Sequence, residues 1–179
     1  MQKIFAILFV SALLLCQASA SHAVDIFMFI DGMKGESTDH AHQDWTDVQL
    51  ASWGHGEAPP NSPVKFQFGR VQITKLNDSI SPLLAQAAVT GLALKDLKLE
   101  MIKSGPVRVV VSRVKLRGVR VTSYATTAQE GAAIPIDSIA FSFDQITWIN
   151  FKITATGQQL PGNAGCFDLK LNAGCSPSF

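Results

Sequence analysis

The sequence predicts a compact, mostly-β barrel with one flanking α-helix. Apolar and polar residues alternate with the period of two that marks half-buried strands over most of the chain after residue 24. The parity of this alternation switches inside two long segments, which indicates strands that bend. Only one segment, which begins near Ser81, has the spacing and the end signals of a helix.

The first 23 residues predict a secretory signal peptide. Lys3 precedes an apolar run over residues 4–15, and small residues then form two cleavage patterns that end at Ala20 and Ala23. Cleavage after Ala23 fits better, because it releases Val24 at the start of a strand-like stretch. The apolar run is shorter than the ~20 residues that a membrane-spanning helix needs. We therefore expect an exported protein, either periplasmic or secreted.

The remaining 156 residues suit one domain with a sizeable core. The signal removes one lysine from the 15 basic residues and none of the 14 acidic residues, so the mature chain is formally neutral. Nucleic-acid binders usually have a strong basic excess, and the neutral chain predicts no nucleic-acid partner. No second apolar run is long enough to span a bilayer, so we expect no membrane span after cleavage.

Two of the three cysteines remain after cleavage, Cys166 and Cys175. An even pair in a chain sent to an oxidising compartment predicts a disulfide that closes a short loop. Cys16 leaves with the signal, and its use as a lipid attachment site is less favoured because Leu15 precedes it.

The first half of the mature chain predicts three strand regions. These are Val24–Ile30, Trp45–Trp53 and Val64–Leu76, the last with a bulge at Gly69. The proline-rich stretch Glu57–Pro63 cannot be a central strand, and we expect an exposed loop there.

The predicted helix has about 10 residues. Ser81 is a suitable N-cap, Pro82 suits the first helical position, and Gly91 is a suitable stop.

Strands are predicted again after the helix. Ala93–Lys103 alternates imperfectly, and Val107–Thr122 switches parity twice, with Gly118 as the expected bulge. Ile134–Thr154 is the last long strand region. Residues 156–179 are rich in glycine and proline and predict a tail with little regular structure.

The sequence shows no pattern typical of a catalytic, cofactor-binding or phosphate-binding site. Residues 39–44, Asp-His-Ala-His-Gln-Asp, hold four groups that could bind zinc, but a solvated loop is the favoured interpretation. A basic run could contact an anionic partner, although the polar face of a curved strand explains it better. Its members are Arg113, Lys115, Arg117 and Arg120.

Several short motifs, in order along residues 25–153, resemble the haemolysin-coregulated protein (Hcp) family of type VI secretion tube subunits. The most specific is the string from Ile30 to Asp39, followed by His42-Gln43-Asp44-Trp45. Later matches include Ser52-Trp53-Gly54, Ile73-Thr74-Lys75, Ser81-Pro82-Leu83-Leu84 and Ile146-Thr147-Trp148. The motif residues are Asp31, Gly32, Lys34, Gly35, Glu36, Ser37, Asp39, His42, Trp45, Trp53, Gly54, Ser81 and Pro82.

The resemblance implies two packed sheets that form a small barrel, here over residues 24–155, and a structural subunit rather than an enzyme. It implies a homo-hexameric ring with a central pore, and rings that stack into a tube fired with a spike protein, with small effectors as cargo. The loop Gly54–Pro63 would then contact the next ring.

Two features depart from such tube subunits, which are normally cytoplasmic: the signal peptide and the tail with its cysteine pair. A secreted or structural type VI component is the favoured function. An exported binding module of the same fold, used outside a secretion tube, is the alternative. A metal-binding or enzymatic effector using His40 and His42 is the least favoured.

Overall fold

The computed structural model describes residues 23–62, 66–105 and 107–179, with only the backbone of Phe66. The predicted signal peptide lies outside the described residues except for Ala23. The described chain forms one helix, α1, and twelve strands. The helix is Ser81–Thr90, and the strands are β1 Val24–Ile30, β2 Thr46–Val48, β3 Leu50–Ser52, β4 His55–Glu57, β5 Phe66–Phe68, β6 Val71–Leu76, β7 Ala93–Lys103, β8 Val109–Thr127, β9 Ile136–Ser142, β10 Gln145–Ile153, β11 Gln159–Asp168 and β12 Ala173–Gly174.

The strands form two antiparallel layers that share β8. One layer has the order β12-β11-β10-β8-β7-β1-β2, and the other has β3-β6-β9 next to β8. A separate two-stranded sheet is formed by β4 and β5. The expected mostly-β fold with two sheets and one helix is confirmed, although the layers pack as a sandwich rather than as a closed barrel.

The long strand β8 joins the two layers. Its residues 112–117 pair with β10, and its residues 120–127 pair with β9. The change of partner falls at Gly118, which has a positive φ of 62°. A further irregularity in the pairing with β7 lies between Met101 and Ile102. These two positions account for the two predicted parity switches. A third irregularity, between Val121 and Ser123 in the pairing with β9, was not predicted.

The layers are linked a second time between β2 and β3. The predicted strand Trp45–Trp53 is therefore two short strands: Val48 pairs with Ile26 of β1, while Leu50 pairs with Thr74 of β6. Gln49 lies between them, and its amide donates to the carbonyl of Thr74 at 2.8 Å.

Another predicted strand is also divided. Val64–Leu76 is interrupted at Gly69, because the two parts pair with different partners: β5 pairs with β4, and β6 pairs with β3 and β9. The expected bulge at Gly69 is thus a break between two strands. The Gly69 amide donates to the carbonyl of Gly54 at 2.8 Å and fixes the base of the β4–β5 hairpin.

The core lies between the two layers and under α1. It is aliphatic, with Phe141 as its one fully buried aromatic ring among the described residues. Its least exposed members are Met28, Ile30, Val71, Ile73, Leu84, Ala87, Leu97, Leu99, Val114, Leu116, Val119, Phe141 and Ile146. Because inward positions recur at every second strand residue, these side chains match the alternation in the sequence.

The helix is confirmed with the predicted length, Ser81–Thr90, and with Gly91 in the left-handed conformation at its end. The prediction that Ser81 is the N-cap is wrong. Ile80 occupies the N-cap position and makes no side-chain capping bond. Ser81 is the first helical residue, and its hydroxyl accepts a hydrogen bond from the Asp78 amide at 2.9 Å.

The expectation of an irregular tail is wrong. Residues 159–168 form β11, which pairs with β10 from Gln145–Asp168 to Ile153–Gln159. A glycine allows this pairing: a Cβ on Gly165 would lie 2.6 Å from the Trp148 ring. The tail thus contributes a strand to the sheet. The strand was not predicted because its glycines and proline are typical of turns. Among the described helices, none is long and apolar enough to cross a membrane.

Candidate functional site

The motif loop, residues 31–45, lies against β1 and β7. Backbone hydrogen bonds hold its two sides together, from the Gly35 amide to the Asp44 carbonyl at 2.9 Å and from the Ser37 amide to the Trp45 carbonyl at 2.8 Å. Glycine is required at position 35, because a Cβ there would lie 2.3 Å from the Trp45 carbonyl oxygen. The motif glycine therefore serves a close backbone contact.

His42 is buried at the base of this loop, with 3% of its surface exposed. Its ring nitrogens face two carboxylates, with Nδ1 2.6 Å from Asp39 Oδ1 and Nε2 3.1 Å from Glu100 Oε2. The imidazole stacks on Phe27 at a centroid distance of 4.1 Å and meets the Trp45 ring edge-on at 4.9 Å. The solvated-loop interpretation is therefore wrong for His42, which fastens the loop to β1 and β7.

Two arginines bind the same carboxylates as His42, and we call this group of side chains the first network. The Arg108 guanidinium donates to Asp39, and Arg113 Nε donates to Glu100 Oε1 at 2.7 Å. Hydrogen bonds from His42 and Arg108 outweigh the effect of burial and lower the pKa of the Asp39 carboxyl to about 2. The same contact with Asp39 raises the pKa of Arg108. The carboxylates of this network are thus already paired with cationic or ring N–H groups.

The zinc interpretation of residues 39–44 gains no support. His40 does not join His42, since it is exposed while His42 is buried. No three histidine, cysteine or carboxylate groups converge as a metal site in the part of the chain that the structure describes.

A second network, which sequence reasoning missed, is centred on Lys75 and Asp137. Both side chains are fully buried, and Lys75 Nζ lies 3.2 Å from Asp137 Oδ2. Lys75 also donates to Asp78 Oδ1 at 2.6 Å and to the Ser81 hydroxyl at 2.8 Å. The available signal was the alternation of β6, which places Lys75 on the same face as Val71 and Ile73.

The Asp137 carboxylate accepts hydrogen bonds from three side chains, one on α1, one on β8 and one just after β6. Ser81 Oγ donates at 2.5 Å, Thr126 Oγ1 at 2.7 Å and Asn77 Nδ2 at 3.1 Å. Burial alone would raise the pKa of Asp137, but these bonds and the contact with Lys75 lower it to about 2. Burial also raises the pKa of the nearby Tyr124 hydroxyl. The network ties α1 to β6, β8 and β9.

The motif loop and the start of α1 contact each other. Glu36 Oε1 accepts a hydrogen bond from the Ser79 amide at 3.0 Å, and Ser79 Oγ donates to the Lys34 carbonyl at 3.3 Å. Pro82 lies in the first turn of α1. The structure thus brings together two motif groups that are far apart in sequence.

Other motif residues shape turns and the hairpin base. Gly32 has a φ of 86° in the turn after β1, and the neighbouring Asp31 amide donates to the Asp96 carbonyl at 3.1 Å. Trp53 and Gly54 follow β3 and precede the β4–β5 hairpin, where both are exposed. They lie apart from the two buried networks.

The basic run follows β8 as predicted, but its members differ. Arg113 pairs with Glu100, and Lys115 is buried with its Nζ 3.2 Å from Asp96 Oδ2. Arg117 and Arg120 are exposed. The run does not form one continuous cationic surface.

Cys166 and Cys175 form a disulfide with a Cα–Cα distance of 5.0 Å. Cys166 lies on β11 and Cys175 directly follows β12, so the bond joins β11 to the C-terminal residues. The Thr147 hydroxyl lies 3.4 Å from Cys166 Sγ.

The polar motif residues thus hold loops, strands and the helix together by hydrogen bonds. The sequence model of the family described as "Type VI secretion system effector, Hcp" matches residues 27–149, which is more than half of the chain. The chain belongs to the Hcp family. It is a type VI secretion component of this family of structural tube proteins.

Solved structures agree with this assignment. A structure described as a type six secretion system protein has a TM-score of 0.78 and 26% identity, and the match covers 86% of this chain and 100% of that one. Hcp1 from Salmonella typhimurium has a TM-score of 0.70 and 21% identity, with 86% and 99% covered. A type VI secretion system effector from Yersinia pestis has a TM-score of 0.67 and 21% identity, with 80% and 99% covered. A sequence comparison with curated proteins found no match.

Proposed function

We propose that the protein, after removal of residues 1–23, is a ring-forming subunit that assembles as a homo-hexamer for type VI secretion. The match of the family model to residues 27–149 carries the proposal. The similarity to the type six secretion system protein of known structure covers 86% of the present chain and all of the other chain. It therefore extends beyond residues 27–149, the segment that the family model matches. A spike protein and small effectors are the further partners.

A closed ring needs a heterologous interface, in which two different surfaces of each subunit are complementary. The outer side of α1 offers apolar side chains for one of these surfaces. Val89 is 85% exposed and Leu83 is also exposed, as is Leu92 just after the helix. Surfaces that a partner covers are often apolar, and these exposed side chains are the candidates for such a contact.

The β4–β5 hairpin is the proposed contact between rings. All three residues of β4 are exposed, and the hairpin is a separate sheet outside the two layers. It carries the proline-rich loop whose residues 58–62 form no strand. The far end of this hairpin can reach a neighbour, whereas Phe68 at its base packs on Phe143 and Phe167.

Native mass spectrometry of protein expressed from the full-length sequence tests the ring. We expect six copies per particle, and Val89→Asp should reduce the assembly to monomers, because it buries a carboxylate in an apolar contact. Leu171→Asp is the matched control, since Leu171 is 76% exposed and lies in the loop between β11 and β12. A wild-type protein that stays monomeric at every concentration would refute the ring.

Stacking is tested separately by deleting residues 58–62. Electron microscopy should then show single rings where the wild-type protein forms stacks. If the shortened hairpin still gives stacked rings, the hairpin is not the contact between them.

Export through the signal peptide is part of the proposal. The Cys166–Cys175 disulfide supports it, because such bonds persist in oxidising compartments and are rare in the cytosol. Cell fractionation with the signal intact and deleted is the test. Secretion that needs the type VI machinery but not residues 1–23 would overturn the role of the signal peptide.

The alternative, an exported binding module used outside a secretion tube, is less favoured because the family model matches so much of the chain. The proposal assigns no enzymatic activity. In both described networks the ionisable side chains are paired with one another, so no free acid, base or nucleophile faces a substrate site there.

A further inference from the structure

The last four residues, 176–179, leave the edge of the sheet and return across it. Cys175 is fixed beside Cys166 on β11, whereas Phe179 lines a cavity of about 240 Å³ together with Trp45, Lys98 and Lys115. Those three residues belong to the motif loop, β7 and β8. We name residues 176–179 the C-terminal strap.

The pairing registers show what the strap crosses. Cys166, Thr147, Lys115 and Lys98 are successive Cα partners on β11, β10, β8 and β7. With strands ~4.8 Å apart, the three steps from Cys166 to Lys98 span about 14 Å. Four fully extended residues after Cys175 also reach about 14 Å. Cys175 lies one step further out, with its Cα 5.0 Å from that of Cys166. The strap therefore has to be nearly straight for the Phe179 side chain to reach the cavity beside Lys98.

Burial on this side of the sheet agrees with a covering segment. Lys115 and Thr147 are buried, although their sequence neighbours Leu116 and Ile146 are the ones that point into the core. A lysine on the outer face of a sheet is normally solvated, because its ammonium group is strongly hydrated. Lys115 keeps its Nζ 3.2 Å from Asp96 Oδ2 under this cover.

The strap is held mainly at its two ends. Ser176, Pro177 and Ser178 are exposed, so the middle of the strap is not packed into the sheet. At one end are the disulfide, the two-residue strand β12 and a hydrogen bond from the Cys175 amide to the Cys166 carbonyl at 3.2 Å. At the other end is Phe179, which lines the cavity beside Lys98 and Lys115 and leaves 47% of its surface exposed.

We propose that the Cys166–Cys175 disulfide is a redox clamp that keeps the strap closed over the outer face of β7, β8 and β10. A dithiol reductant opens it: the S–S bond breaks, both sulfurs become thiols by gaining two electrons and two protons, and the reductant is left as its own disulfide. Oxidising surroundings keep the strap in place, and thiol-rich surroundings release it and uncover Lys115 and Trp45.

The inference concerns a surface of the single subunit and goes beyond the proposed ring. Its failure would leave the ring intact, and a monomeric protein could still carry the clamp. The two proposals therefore have separate tests.

Amine labelling with N-hydroxysuccinimide acetate, read by mass spectrometry, tests the clamp in protein expressed from the full-length sequence. We expect Lys115 to be labelled several-fold faster after treatment with dithiothreitol than in the oxidised protein. Two lysines are internal controls. Lys95, which is exposed, should react equally in both states, and Lys75, which is fully buried in the core, should stay unreactive in both.

Two variants separate the clamp from the strap. Cys166→Ser/Cys175→Ser should label at Lys115 like the reduced protein without any reductant. Phe179→Ala should raise Lys115 labelling while the disulfide is intact, because it removes the far anchor. Equal Lys115 labelling in the oxidised and reduced proteins overturns the proposal. So does a parallel rise at Lys75, which would show that reduction unfolds the domain.

Discussion

Lys75 shows how a single side chain departs from the pattern of its strand. It occupies an inward position of β6 and places its ammonium group among the core residues. There it forms ion pairs with Asp137 and Asp78 and a hydrogen bond with Ser81. An unpaired buried charge is costly, so each member of the network depends on the others.

Lys75→Met should therefore destabilise the protein by about 3–5 kcal/mol, because Asp137 would keep a buried charge without its cation. Urea unfolding followed by far-UV circular dichroism measures the change. Lys95→Met is the control, and its exposed contact with Asp31 at 3.7 Å predicts a loss below about 1 kcal/mol. A double variant, Lys75→Met/Asp137→Leu, should recover part of the loss. Equal stability of Lys75→Met and Lys95→Met would contradict the account.

Gly118 combines two requirements. Its φ of 62° favours glycine, and an added Cβ would lie 2.1 Å from Asp144 Oδ2. Gly131 also has a positive φ, 83°, but an added Cβ there would meet nothing within 4 Å.

Gly118→Ala should cost about 3 kcal/mol or more, since it adds displacement of Asp144 to backbone strain. Gly131→Ala should cost only about 1–2 kcal/mol, from the backbone alone. Thermal unfolding of the two variants side by side makes the comparison, and similar losses would mean that the Asp144 contact yields without cost.

Gly118, Lys75 and His42 show which features could be predicted from the sequence and which could not. The parity switch identified Gly118 as a bend, because a period-2 pattern records which face each residue uses. The contact with Asp144, which follows β9, could not be predicted from the residues around Gly118. Lys75 had a signal, a charged residue in register with Val71 and Ile73, but its partner Asp137 is 62 positions away in sequence. The motif string named His42 without showing that it is buried.

Among the elements, β11 has the largest effect on the interpretation of the chain. Pro161 and Gly162 near its start are typical of loops, yet β10 pairs with it along most of its length, with one register shift between Asn150 and Lys152. The inward side chain Phe167 packs on Phe68 at a centroid distance of 5.1 Å and borders the core. Tertiary pairing overrode the local propensity, as is common for strands.

Phe167→Ala should lower the stability by about 2 kcal/mol, less than for a fully buried ring because Phe167 is only partly buried. Leu171→Ala, in the exposed loop that follows, should change it by less than about 0.5 kcal/mol. Guanidinium unfolding curves of both variants are the measurement. Equal losses of stability in the two variants would show that the Phe167 side chain of β11 does not stabilise the fold.

For the molecule as a whole, acid stability follows from two carboxyls in separate networks. Asp39 and Asp137 have pKa values of about 2 in the folded protein, against 3.8 as the ordinary value. Each contributes stability above pH 4 that is lost as the pH falls towards 2, because the unfolded chain then binds more protons than the folded one.

We expect the midpoint of urea unfolding to be steady between pH 5 and 7 and to fall steeply between about pH 4 and 2. Asp137→Asn should flatten this fall while lowering stability at pH 7, since the amide cannot replace the charge beside Lys75. A wild-type curve that is flat down to pH 2 would contradict the lowered pKa values.

The strand order also has a consequence for how the chain is made. The first strand, Val-Asp-Ile-Phe-Met-Phe-Ile, finds three partners in β2, but its full partner is β7, with Ile26 paired to Met101. During synthesis this apolar, β-prone segment has only β2 as a partner until some 70 further residues have emerged, while the β7–β8 hairpin can form locally. Such a segment is an aggregation hazard while it waits. Holding chaperones would matter most for β1.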